Sequence, residues 1–315
     1  MYFIILVLSV LLLVIITWGI IFFFKEDKND IKATIKKAKK MLEEERYEDI
    51  LILRKKEKWS RSLWVEGKPY ARLELGGIAK TAAINLQDYK NLTEIYIDDL
   101  GWTFVSVGKY GEAKTNLQRG LECAEKIQDN DDKYYWLAKA KRHLAGIEVE
   151  NEEYSKSDAL MNESISFANN IKDEQRKNEM LAGIYYGQSI RFLKAGPKDR
   201  DNIGKSLKYA KDSEALRKVG EETRSVKIYS LKGNIYEAKG DKPKAEEQYR
   251  IGLKQSKELK RTDEFIKNSL GLARILNNEK EKKQLLKKAK ELLSETPVPY
   301  IIDEQEMRLI KQQPF

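Results

Sequence analysis

Between positions 97 and 120 the chain reads Ile97-x-x-Leu100-Gly101-x-x-Phe104, then Gly108-x-Tyr110-x-x-Ala113-x-x-x-Leu117-x-x-Gly120. Bulky apolar residues recur at helical spacing, and a small residue stands at each place where two antiparallel helices would cross closely. That pattern is a helical hairpin. It returns in Tyr229-x-x-Lys232-Gly233-x-x-Tyr236, Gly240, Ala245-x-x-x-Tyr249-x-x-Gly252, so the hairpin is a unit used more than once. Looser copies contain Leu144-Ala145 followed by Tyr154, Met161 and Ile165, then Leu181, Tyr185, Gly187 and Ile190 followed by Ile203, Leu207 and Ala210. A last copy contains Leu270-Gly271 and Ala273, then Leu286 and Ala289. No run of alternating β-branched residues bounded by turns appears outside the N-terminal segment, so an all-α fold is expected.

At these residues the chain resembles tetratricopeptide repeat proteins. The resemblance implies a right-handed α-solenoid of antiparallel helix pairs over residues 47–295. The equivalent small residues at 101, 145, 187, 233 and 271 are spaced by 38 to 46 positions, against about 34 in the common repeat. The extra length is expected in second helices that run on, as at 121–127. This longer form looks like the repeat arrays of bacterial STAND-type and NB-ARC signalling ATPases, without their nucleotide domain. The lysine-rich, alanine-poor helices fit a bacterial source.

At the start of that array lie two further helical stretches, 47–66 and 70–87, separated by Gly67-Lys68-Pro69 with proline near a helix start. They read as an atypical first repeat. In residues 31–45, Ile31, Ile35, Ala38 and Leu42 form an apolar stripe. The stripe suits either the first helix of the array or a basic juxtamembrane helix on anionic lipid. Pro297 and Pro299 end the array, and residues 296–315 are expected to cap its apolar end.

Residues 2–24 are apolar throughout and carry no charged side chain. Such a stretch extends about 35 Å as a helix, enough to cross a hydrocarbon core of about 30 Å. The long run, the absent basic n-region and the flank Phe22-Phe23-Phe24-Lys25 favour a retained transmembrane helix, 1–24, over a cleaved leader. Lysines just after it and none before it place the body on the cytoplasmic side of a single-pass protein. Lys25, Lys28, Lys32, Lys36, Lys37 and Lys40 in the 25–46 segment are candidate lipid-headgroup contacts.

Chemistry is sparse. One histidine and one cysteine exclude a histidine-based metal centre and an internal disulfide framework. His143 reads as a helix-surface or seam residue and Cys123 as a small core residue. Gly204-Lys205-Ser206 resembles the tail of a phosphate-binding loop, but Asp199 stands where a glycine is needed and no strand precedes it. Neither catalysis nor a cofactor is expected. The net charge of +9 is spread among mixed charges, which fits a solvated surface better than nucleic-acid binding.

Aligning the copies on their small residue puts Asp98, Trp102, Arg142, Gln188, Arg191, Asn234 and Glu237 where similar repeat proteins line a groove. Such a set suits a protein or peptide partner, not a small-molecule substrate. The leading expectation is a membrane-anchored scaffold or adaptor that recruits a protein through this groove. The alternative is a ligand-sensing signalling or defence component whose membrane helix is the effector.

Overall fold

The computed structural model describes residues 31–217 and 225–295, and the described chain is helical with no strand. The expected membrane helix 1–24, the candidate headgroup contacts Lys25 and Lys28, and the expected cap 296–315 lie outside the described residues. Among those described, no helix is long and apolar enough to cross a membrane.

The helices are α1 (Ile31–Glu43), α2 (Tyr47–Lys56), α3 (Trp59–Val65), α4 (Pro69–Asn85) and α5 (Tyr89–Glu94). A π-helical stretch (Ile95–Trp102) leads from α5 into α6 (Thr103–Ser106), after which come α7 (Tyr110–Ala124), α8 (Asn130–Glu150), α9 (Tyr154–Asn169) and α10 (Glu174–Ala195). Next are α11 (Arg200–Ala215), α12 (Lys227–Ala238), α13 (Lys242–Glu258), α14 (Thr262–Ile275) and α15 (Glu279–Glu295). Each helix packs on its successor, and α8 also meets α10 as α12 meets α14, so hairpins stack in chain order.

Starts and stops follow from local chemistry. Asp88, Asp129, Asp173, Asp199 and Asp241 each accept a backbone N–H of the helix they open, satisfying donors that have no partner inside the helix. Seven of the stops share one turn. At Gly108, φ is +74°, its N–H donates to Val105 and the Lys109 N–H donates to Phe104, the paired bonds that close a helix through a left-handed residue. The same pair of bonds recurs with Glu45, Gly67, Gln87, Glu152, Gly240 and Lys260 in the left-handed position.

Small residues sit wedged between helices, as their spacing requires. A Cβ on Gly101 would lie 2.8 Å from Leu117 Cδ2, and one on Gly120 would lie 2.5 Å from Ile97 Cγ1. Gly187 faces Met161 of the preceding hairpin. Gly233 and Gly271 press on the two sides of the buried Tyr249 ring, which joins one hairpin to the next.

Three expectations change. The stretch 47–66 is two helices, because Lys58 adopts φ +49° and ends the first of them. The extra repeat length lies in first helices, with 21 residues in α8 and 22 in α10, whereas the second helix α7 stops at Ala124. The Gly204-Lys205-Ser206 triplet lies inside α11, where Lys205 pairs with Asp201 and the Ser206 hydroxyl bonds the Ser189 carbonyl at 2.8 Å.

The stripe of α1 is consumed by the fold. Ala38 is fully buried, and Ile31, Ile35 and Leu42 pack on the N-terminal core. Lys32, Lys36, Lys37 and Lys40 stay exposed on the other side.

Candidate functional site

The π-helical stretch organises the polar interior. A π turn is wider than an α turn and shifts the side-chain register, and here two consecutive acids are both turned inward. Asp98 meets Lys139 at 2.6 Å on one side. Asp99 meets Arg54 at 2.7 Å on the other, and Arg54, 2% exposed, also reaches Glu94 at 3.0 Å. Arg72 lies 3.9 Å from Asp99 and donates to the Thr103 hydroxyl at 2.9 Å. Gly76 of α4 lets this stretch approach, since a Cβ there would meet Leu100 at 3.0 Å.

Lys139, Arg142 and His143 occupy one face of α8, at spacings that bring side chains together on a helix. His143, 7% exposed, stacks on Trp102 with ring centroids 4.7 Å apart, and its Nε2 is 4.0 Å from Asp98 Oδ1. Arg142 crosses to α10 and lies against the bare Cα of Gly183, in the space a side chain would take. One turn along α10, the Lys227 ammonium from α12 sits 4.0 Å from the centroid of the Tyr186 ring.

Burial and its cationic neighbours hold His143 well below the ordinary histidine value, with Arg142, Lys139, Lys227 and Arg72 contributing. Burial and Arg217, Arg142 and Arg261 likewise hold Lys227 well below an ordinary lysine, against the opposing pull of Glu264. Burial pushes the Tyr186 phenol up to about 12. Asp98 is held below the usual carboxylate value against the opposing effect of its burial, chiefly by Lys139 and Arg72. The field at His143 therefore comes first from its own helix and then from α12 and α4, which are far apart in sequence. They share an interior because the stack bends round: the Arg261 guanidinium, ahead of α14, rests 4.3 Å from the Trp64 ring of α3.

The sequence-selected residues separate into three places. Asp98, Trp102 and Arg142 belong to this interior. Arg191 is paired with Asp158 of α9 and lies over the Phe192 ring, and Gln188 is half-buried. Asn234 and Glu237 belong to the seam around Tyr249, whose hydroxyl is 2.6 Å from Asn234 Oδ1 and 2.8 Å from Glu237 Oε2. Arg274 of α14 donates to both residues.

Lys139, Tyr186, Lys227 and Arg261 were missed by the alignment. Lys139 and Arg142 are three residues apart on α8, and that helical spacing was the signal available for the first. Cys123 is half-buried against the N-terminal core, and burial pushes its thiol up, away from the reactive thiolate. Among the described residues no cluster of His, Cys, Asp and Glu could hold a metal ion.

No family model matches the chain, and no curated protein matches it. Among solved structures, BtubC (BKLC) from P. vanneervenii is similar over 74% of this chain and 93% of its own, at 17% identity and a TM-score of 0.47.

Proposed function

We propose that the chain is a tetratricopeptide-like scaffold, tethered to a membrane through residues 1–24, that recruits a protein partner on the cytoplasmic side. The carrying observation is the convergence of Asp98, Trp102 and Arg142, three residues chosen from repeat register, on one interior with Lys139 and His143. An aromatic ring flanked by charged groups is the composition of a peptide-recognition surface. Stacked hairpins supply such a surface by repetition, and a right-handed superhelix is the form this reading expects. Confinement to a membrane raises the effective concentration of partners there, so a weak contact suffices.

The test is proximity labelling from the C-terminus in native membranes, followed by pull-down of the labelled partner from detergent extract. Wild type is compared with the Trp102→Ala, Arg142→Ala double variant. Loss of the partner in the double variant, with unchanged thermal unfolding, supports recruitment through this surface. Equal recovery from both proteins removes the interior from the reading.

A further inference from the structure

Where the stack bends round, early and late parts of the array meet through a cation on an aromatic ring: the Arg261 guanidinium lies 4.3 Å from the centroid of Trp64. Arg261 is 1% exposed and firmly held. Its backbone N–H donates to Ser256 at 2.8 Å, and its side chain makes two bonds to Asp263, at 2.8 and 2.6 Å. Trp64 rides on a less firmly fixed element. α3 is seven residues long and lies between two left-handed residues, Lys58 with φ +49° and Gly67 with φ +68°. It packs on α2 and α4, and the buried Nε1–H of Trp64 has no acceptor among the described residues. On the side away from Trp64, α3 leaves a cleft against α1 and α4, bordered by Ile31, Thr34, Ser62, Leu63 and Leu75. A short helix with a joint at each end and space behind it can rock as a unit, whereas a long hairpin packed along its neighbours resists such motion.

We propose that α3 is a latch on the interior. Closed, Trp64 lies on Arg261 and joins the two parts of the array; open, α3 has rocked into the cleft toward α1 and withdrawn the ring. Burial favours the closed form, because a guanidinium on an aromatic face gains most where water is excluded. The unpaired indole N–H works against it, since that donor finds water on release. Arg72 carries the position of α3 to the recruiting surface. It donates to the Ser60 hydroxyl of α3 at 2.8 Å and to the Thr103 hydroxyl at 2.9 Å, and Thr103 follows Trp102 in the chain. Ser60 and Trp64 are four residues apart and so share one face of α3. The inference rests on the recruiting role for what the latch controls, the entry of a protein segment to Trp102 and Arg142.

Distance measurement by pulsed electron paramagnetic resonance on the detergent-solubilised full chain tests this with no partner present. Spin labels are placed at two exposed positions, Arg61→Cys on α3 and Lys257→Cys on α13, in a Cys123→Ser background. A control pair joins Glu112→Cys on α7 to Asn162→Cys on α9. Trp64→Ala is expected to lengthen the first distance by several ångström, while Trp64→Phe, which keeps a ring beneath the guanidinium, leaves it as in wild type. Neither variant should alter the control pair. An unchanged first distance in Trp64→Ala overturns the latch. So does an equal change in the control pair, because the whole array then loosens and α3 has no movement of its own. A fixed α3 leaves recruitment standing, and equal partner recovery from wild type and the Trp102, Arg142 double variant leaves the movement of α3 standing, so the two failures are distinguishable.

Discussion

Two clusters of buried polar groups, the Tyr249 seam and the interior around His143, obey opposite rules. In the seam the ring fills the gap between Gly233 and Gly271, its hydroxyl reaches Asn234 and Glu237, and Arg274 closes the set with an opposite charge. In the interior, Arg72, Lys139, Arg142 and Lys227 surround a neutral histidine, and Asp98 stands among them. Matched groups fix the register of one hairpin on the next. Crowding of like charges does the reverse, because each buried cation loses hydration and repels its neighbours. One cluster should therefore resist change, and the other should tolerate or welcome it.

The sharpest way to break this contrast is to crowd the seam. Gly233→Ala or Gly271→Ala puts a methyl into the rigid Tyr249 ring, with no flexible chain end to give way. Each should cost about 2–3 kcal/mol in denaturant unfolding. Gly146 and Gly204 also lie inside helices but have open space where a Cβ would stand, so Ala there should gain about 0.5–1 kcal/mol. If all four substitutions behaved alike, close helix crossing would not be what the glycines provide. Tyr249→Phe keeps the ring and removes the hydroxyl, leaving Asn234, Glu237 and Arg274 with one partner fewer, and should cost about 1–2 kcal/mol.

Those glycines were legible in the sequence because close crossing admits nothing larger, so the small residues keep their spacing whatever surrounds them. The helix pairs from Tyr110 onward were legible for the same reason. The break at Lys58 was not, since lysine carries no turn signal although it adopts φ +49° just before α3, which packs on α4. Site residues were legible only on the first two copies. Register predicts which way a residue points if every repeat is built alike, but α8 and α10 are longer than α12. The same offset from the small residue therefore leads to the interior at Trp102 and to a seam at Asn234. Lys227 and Arg261 reach the interior only because the stack bends back on itself, which no local pattern encodes.

The interior can be tested by relief instead of crowding. Lys227→Met should raise stability by about 1–2 kcal/mol at neutral pH, since a methionine on the Tyr186 ring loses no hydration. A loss of stability would mean that the ammonium holds the fold together. Histidine supplies a pH signature. Its folded value lies below its unfolded value of about 6.5, so as the pH falls below about 6.5 the unfolded chain takes up a proton that the folded chain refuses. Stability then declines by up to about 1.4 kcal/mol per pH unit until the folded value is reached. His143→Gln should flatten that slope between about pH 6.5 and 5. Asp98, Asp131 and Asp132, whose values are lowered, act at more acid pH: their contribution is present above about pH 4 and is lost below it.

The smallest effects lie in the turns, where the contrast between matched and mismatched residues appears again on the backbone. Seven helices close through the same left-handed residue, yet Gly67, Gly108 and Gly240 hold three of these positions while Glu45, Gln87, Glu152 and Lys260 hold the others. A side chain at positive φ crowds the following carbonyl, a strain that glycine avoids at the cost of a more flexible unfolded chain. Glu152→Gly and Lys260→Gly should each gain about 0.5–1 kcal/mol, and Gly108→Ala should lose a similar amount. Glu152 and Lys260 close different hairpins and share no partner in the structure, so their gains should add in the double variant. Additive gains would separate local turn strain from the seam, where Gly233→Ala combined with Gly271→Ala should cost less than the sum because both methyls displace the same ring.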